Sequence, residues 1–170
     1  MNIVYNRKLL QCQDAHGVDI KSDIVISDGF EQTYYIIRIK DLFSGCEELT
    51  ILLKTDLELN FLPLLYFQEE SNLLITGLQN RVLFIDTKKK AVAHDIYLEF
   101  PLFYVYYIKE NDSFIFVTEC EILNYSRNGE VLHSCFAHDV ITDTKIQNNQ
   151  LSLKTDSSKV VIDLISWAIK

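Results

Sequence analysis

Histidine, cysteine and paired carboxylates are the side chains here that could bind a metal ion or move a proton. The histidines stand at His16, His94, His133 and His138, and Cys135 lies between the last two. Zinc needs three or four nitrogen, sulfur or oxygen ligands converging on one point. His133, Cys135 and His138 span a strand end and a loop, and no second ligand pair supports them, so no metal site is assigned. A serine or cysteine nucleophile needs a base beside it on a defined turn. No Gly-x-Ser-x-Gly elbow occurs, and nothing flags Cys135 with His138 as a dyad. Phosphate-cradling loops need clustered glycine, which is absent. Glu47–Glu48, Glu69–Glu70 and Glu119/Glu121 are carboxylate pairs. Acid–base work by two carboxylates requires partly buried positions that drive their pKa values apart; adjacent Glu residues in turns read as solvated surface. No catalytic residue and no cofactor-binding residue is assigned, and the chain is not expected to be an enzyme.

The carboxylates carry more meaning as a surface. Asp56, Glu58, Glu69, Glu70, Glu110, Asp112, Glu119 and Glu121 fall in or beside predicted turns. If equivalent turns of successive repeats share a face, these side chains make one acidic rim; otherwise they serve solubility. The net charge is −8 and the pI near 4.9. Such a chain is not expected to bind nucleic acid directly, since that affinity comes from Lys and Arg releasing counterions. It should attract basic partners and raise their association rates. Lys88, Lys89, Lys90, Lys109 and Arg127 fall in other turns, so the charge is expected to be polarised. A second candidate surface is Phe100 to Ile108. In a strand Tyr104, Tyr106 and Ile108 face one way and Phe103, Val105 and Tyr107 the other. A central strand covered on both faces accounts for this; the alternative is an exposed ladder in which Tyr104 and Tyr106 act as binding hot spots.

The elements that would position these residues are short. Ile24–Ile26, Tyr34–Ile39, Leu49–Leu53, Leu73–Ile75, Val82–Ile85, Phe114–Val117, Glu121–Tyr125 and Lys159–Ile165 alternate or are β-branched, and Asp, Asn, Ser or Gly bounds them. Runs of this length with frequent turn residues predict an all-β chain. Ser158 to Lys170 is the best helix candidate, but Val160, Val161, Ile162 and Ile165 favour a strand. With five Gly and two Pro, the turns must rely on Asn, Asp and Ser. No stretch approaches the ~18 apolar residues of a membrane helix. No apolar segment follows Arg7 and Lys8, so no signal peptide is expected. Cys12, Cys46, Cys120 and Cys135 are scattered and read as free thiols in a reducing cytoplasm.

Self-similarity organises the strands. Ala93-His94-Asp95-Ile96 matches Ala137-His138-Asp139-Val140, an interval of 44 from position 93 to position 137. Similar strand pairs precede both, a third copy follows over Asn149–Asp163, and a fainter one lies over Thr33–Leu52. Phe84-Ile85-Asp86 ends a strand as an aromatic, an aliphatic and an Asp. His138, Val140, Leu151, Asp156, Val161 and Asp163 follow in a fixed order. On these residues the chain resembles a degenerate set of WD40-type β-propeller repeats, most clearly over residues 60–170 of a single 1–170 domain. Ala-His stands where the family has Gly-His, no Trp-Asp dipeptide occurs, and Trp167 lies outside the family's position. The resemblance implies β-meander repeats of about forty residues, forming a half-propeller or a small four-bladed one. It also implies that His94 and His138 hold equivalent structural positions, each hydrogen-bonding a neighbouring blade. An open fan would leave edge strands available for pairing, including self-association.

Composition adds the last expectation. Ile, Asn, Lys, Phe and Tyr are abundant against five Ala and four Arg, the bias of an AT-rich gene. Small, acidic and without a catalytic motif, the chain resembles in overall character the immunity proteins of bacterial contact-dependent growth inhibition systems. Some of those pair with EndoU-type, tRNA-cleaving nuclease toxins. The resemblance implies a cognate basic toxin as partner, its cationic cleft covered by acidic turns, with no cofactor; no individual contact carries over. A general propeller-type interaction scaffold is the alternative, and a hydrolase or lyase with its site in a propeller mouth the third reading.

Overall fold

Alternating and β-branched segments form strands wherever the sequence supplies them. The computed structural model describes residues 1–15, 20–27, 33–55 and 62–169. No α-helix occurs among them. Among the described residues sixteen strands form four separate sheets, and the chain divides into two compact units, Met1–Leu78 with Leu83–Asp95 and Gln79–Val82 with Ile96–Lys170.

The first unit opens with a sheet of β1 (Asn2–Tyr5), β2 (Lys8–Asp14), β3 (Ile24–Ser27), β4 (Thr33–Asp41) and β5 (Glu47–Thr55). Its order is β1-β2-β4-β5-β3, with β3 parallel to β5 and the other pairs antiparallel. This is more than the faint repeat read over Thr33–Leu52. The β1–β2 hairpin turns at Asn6 with φ 43°, a left-handed conformation that Asn tolerates. The second sheet runs β6 (Leu64–Gln68), β7 (Leu73–Leu78), β8 (Arg81–Asp86) and β9 (Ala91–Tyr97) in chain order. All six residues of β7 are buried, as a strand covered on both faces requires. One apolar cluster joins Leu10, Tyr35, Ile37 and Ile51 to Phe67, Leu74 and Ile85.

The second unit contains a sheet of β10 (Leu102–Ile108), β11 (Ser113–Thr118), β12 (Glu121–Ser126) and β13 (Val131–Phe136), and a sheet of β14 (Ile141–Gln147), β15 (Gln150–Thr155) and β16 (Lys159–Asp163). In the C-terminal segment Lys159–Asp163 is strand, and a turn over residues 164–166 follows it. Ile115, Val117 and Ile122 pack with Leu151, Leu153 and Ile162 in one core. Strand β10 is the edge of its sheet, not the central strand expected from its apolar faces, and a bulge between Leu102 and Tyr104 leaves Phe103 exposed.

Backbone bonds define the true repeat. Leu98 N–H donates to Asn80 O and Leu102 N–H to Gln79 O; forty positions on from these carbonyls, Ala137 N–H donates to Cys120 O and Ile141 N–H to Glu119 O. Thr118 Oγ1 clamps the next turn from both sides, taking Glu121 N–H and donating to Glu121 O; Thr155 does the same with Ser158. Asn72, Asp112 and Asn149 sit at matching turn positions with φ 54°, 48° and 57°. The third-strand turns are capped alike. Asp41 Oδ1 accepts from Phe43 and Ser44 N–H, Asp86 Oδ1 from Lys88 and Lys89, and Asp163 Oδ1 from Ile165 and Ser166. Ser126 Oγ replaces them in the third sheet.

This register corrects one expectation. His94 lies inside β9, its ring edge-on to Phe84 at 5.7 Å. His138 follows β13 in the connection to β14 and is exposed. The two Ala-His-Asp matches are therefore out of phase with the fold, and their histidines are not equivalent.

Asn124, in the middle of β12, is fully buried, and neither its amide oxygen nor its nitrogen has a protein hydrogen-bond partner. It faces Ile115 across one strand pair and His133 across the other. A buried amide without partners costs about 1–3 kcal/mol. Asn124→Leu is expected to stabilise the protein by about 1 kcal/mol in chemical denaturation; a lower midpoint for the variant would contradict this account of β12.

Candidate functional site

Turns carry the charged side chains, so their place is set by which end of each hairpin they occupy. Glu69 and Glu70 form the β6–β7 turn in the first unit. Glu69 Oε2 accepts a 2.7 Å hydrogen bond from Asn6 Nδ2 of the β1–β2 turn. Next to it, the Tyr5 ring meets Tyr66 and Phe67 edge-on, each at 6.1 Å, and the Tyr5 hydroxyl donates to Leu65 O at 3.3 Å. These residues surround an open cavity of about 250 Å³. Burial raises the pKa of both the Tyr5 and Tyr66 phenols, which stay protonated and neutral.

The other carboxylate pair of this unit is committed elsewhere. Glu47 pairs with Arg38 at 3.2 Å, and Glu48 with Lys8 at 2.5 Å. Lys8 also reaches Asp41 at 3.5 Å. Backbone hydrogen bonds from Ser44, then Phe43, hold the Asp41 carboxyl down at about 2. Lys90 is paired with Asp23 at 2.8 Å. Asp56, Glu58 and His16 lie outside the described residues.

In the second unit the expected rim separates. Glu110 and Asp112 lie in the β10–β11 turn, whereas Glu119 and Glu121 flank the β11–β12 turn at the opposite end of β11. Six residues of strand place these ends roughly 17 Å apart. Glu110 is exposed. Asp112 accepts from the Tyr107 hydroxyl at 2.9 Å and faces Arg127 at 3.8 Å. Glu121 is only 7% exposed; burial, then the nearby Glu99, pushes its carboxyl above the usual range. Tyr104 and Tyr106 stack at 6.3 Å on one side of β10. The Tyr106 hydroxyl bonds Thr144, while Tyr104 is 37% exposed. Of the two, Tyr104 offers the more open ring.

His133 stacks on Trp167 at 4.7 Å. Among the described residues no three His, Cys, Asp or Glu side chains are grouped to hold a metal ion. All four cysteines are free thiols, and burial lifts Cys12 to about 11, far from thiolate reactivity at neutral pH. No described helix is long and apolar enough to cross a membrane. The aromatic cavity was missed by sequence reasoning, because Tyr5 and Tyr66 are far apart in the chain and neither lies in a recognisable motif.

No protein-family model matches the chain, and no curated protein matches it. Solved structures do. Sqt1 of Saccharomyces cerevisiae is similar over 84% of this chain and 45% of its own, at TM-score 0.61 and 15% identity. The dihydro-heme d1 dehydrogenase NirN is similar over 81% of this chain and 33% of its own, at 0.63 and 14%. The Pan2 WD40 domain of Neurospora crassa is similar over 62% and 36%, at 0.52 and 14%. The chain thus spans less than half the length of each. At these identities the likeness shows the fold: all-β, with small antiparallel meander sheets of the β-propeller, WD40-like type. A dehydrogenase and a WD40 domain share that likeness, so the fold does not choose the function.

The displaced pKa of Glu121 makes a testable link to stability. The folded protein holds this proton more tightly than the unfolded chain, so stability falls as pH rises from 4.5 through the higher folded value, then levels off. Glu121→Gln should melt higher than the parent at about pH 7, and the gap should close below about pH 4. A constant gap across that range in thermal scans would show that Glu121 is not the group responsible.

Proposed function

We propose that the chain is a protein-interaction module of propeller type whose partner is basic, and that it acts as an immunity protein neutralising a nuclease toxin domain. The observation that supports this most is the net charge of −8 on a sheet scaffold whose turns carry Glu69, Glu70 and Glu110. A nuclease needs a cationic cleft for phosphate, and an acidic surface occupies such a cleft with fast, steered association. The division of acids between turn ends favours a contact made by one turn cluster over a rim-wide one. On this reading the protein works in the cytoplasm, with no cofactor and no chemistry of its own. An EndoU-type toxin is the narrowest form of the proposal.

A specific observation favours the scaffold alternative as well. The outer side of β16 is met at one point, the isolated bridge from Ile162 to Ile169, and a strand edge of this kind can pair with another chain.

Co-expression with the product of the neighbouring gene, followed by affinity purification, tests the proposal. A stoichiometric complex with a basic domain is expected, and its affinity should weaken at least ten-fold between about 0.15 M and 0.5 M salt, as screening requires. A complex indifferent to salt, or a stable self-dimer with no captured neighbour, would move the function to the scaffold reading.

A further inference from the structure

We propose that the outer edge of β13 pairs with the same strand of a second copy of this chain, antiparallel about a two-fold axis at Cys135. β13 is the last strand of its sheet, with β12 on its inner side. Ala137 N–H donates to Cys120 O on the β12 side. Backbone groups of successive strand residues turn to opposite edges, so those of Ser134 and Phe136 point away from β12. An outward row of this kind is a template for another strand. The register shift opposite Asn124 and Tyr125 bends the strand at Leu132, as a bulge does. It leaves residues 133–137 as the straight stretch.

Register and charge select a second copy as the occupant. About an axis at Cys135, Ser134 exchanges both backbone bonds with Phe136 of the second copy, and the symmetry repeats the exchange, so the outward groups satisfy one another. The two Phe136 rings come within diagonal reach, and each is 57% exposed in the single chain. Each copy carries −8, so two copies repel unless they meet where no charge stands. Residues 133–137 contain no Asp, Glu, Lys or Arg. A basic partner is drawn to carboxylates, which this stretch lacks. The outer strands of the neighbouring sheets are less open. β9 contains Asp95, and a charge blunts an edge. In β16, Asp163 N–H already donates to Ala168 O, and its carbonyl accepts from Trp167 N–H. The His133 ring stacks on Trp167 at 4.7 Å, so the start of the stretch is ordered before pairing, which lowers the cost of association.

The inference stands apart from the proposed function and is tested on the whole chain alone. Sedimentation velocity should show a monomer–dimer equilibrium with Kd on the order of 10–100 μM, since one strand per copy makes a small contact. Raising salt from about 0.05 M to 0.5 M should tighten it several-fold by screening like charges. A complex with a basic partner responds to salt in the opposite sense. Phe136→Lys should weaken the dimer about ten-fold or more. Ser134→Pro removes an outward N–H and no bond to β12, and should abolish it. Unchanged denaturation midpoints show that both variants fold; should Ser134→Pro unfold, Phe136→Lys decides alone. In this register the two Cys135 Cα atoms stand about 4.5 Å apart, within disulfide reach. In Cys46→Ser, which removes the exposed thiol, diamide should therefore link two copies by taking one hydrogen from each Cys135. Adding Cys135→Ser should prevent the link. A monomer up to about 1 mM, a dimer that survives both edge variants, or a link that persists without Cys135 would overturn the inference. A basic partner that protects the β13 amides of a chain monomeric on its own would overturn it as well, by taking the edge for itself.

Discussion

Every backbone amide that leaves a strand must find an acceptor, and among the described residues no α-helix is present to supply one. The segments joining the sheets meet this constraint in a fixed way. The amides of Leu98 and Leu102 take the carbonyls of Asn80 and Gln79, and those of Ala137 and Ile141 take Cys120 and Glu119. Each pair ties a connection to the turn between two inner strands. A two-stranded hairpin is marginal alone; anchoring the connection limits its freedom and holds successive strands in one register. The Thr118 and Thr155 clamps tighten the same turns.

Much of this architecture was legible in the sequence, because strands announce themselves by alternation and turns by Asn, Asp and Ser. Asp86 and Asp163 could be recognised as strand ends, and both proved to be caps. The repeat period was harder. Ala-His-Asp is a short match that arises without structural meaning, and it sat four to five residues off the hydrogen-bonded repeat. A backbone-to-backbone latch leaves almost no mark on side-chain identity, so Gln79–Asn80 and Glu119–Cys120 look unrelated. The edge position of β10 was hidden for a similar reason: a run apolar on both faces says that both are covered, not which strand lies beside it. The Tyr5–Tyr66 cavity is a product of tertiary packing and left no local pattern at all.

The structure also sorts the acids by reach. Asp, with one methylene, bends back to its own backbone: Asp41, Asp86, Asp139, Asp143 and Asp163 each accept from amides one to three residues on. That short geometry is why Asp, Asn and Ser dominate turns. Hydrogen bonds of this kind favour the charged form and hold the Asp41 and Asp86 carboxyls below the usual aspartate range; Asp139 is held below it by the Ser157 side chain first and the Val140 amide second. They stabilise the fold as anions and are poor candidates for acid–base chemistry near neutrality.

Glu projects farther and is therefore the residue type left for contact with something else. Glu47 and Glu48 are used by Arg38 and Lys8 across the first sheet, and Glu121 is buried. Glu69 and Glu70 lie in the β6–β7 turn and border a cavity with aromatic walls, and Glu110 is exposed in the β10–β11 turn. A surface charge alone draws a basic partner without choosing its orientation. A ring-walled cavity beside two carboxylates adds shape to charge, and shape is what converts a steered encounter into a specific one. An acidic protein with no catalytic constellation assigned to it can thus still be selective, provided that one turn of the scaffold carries both ingredients.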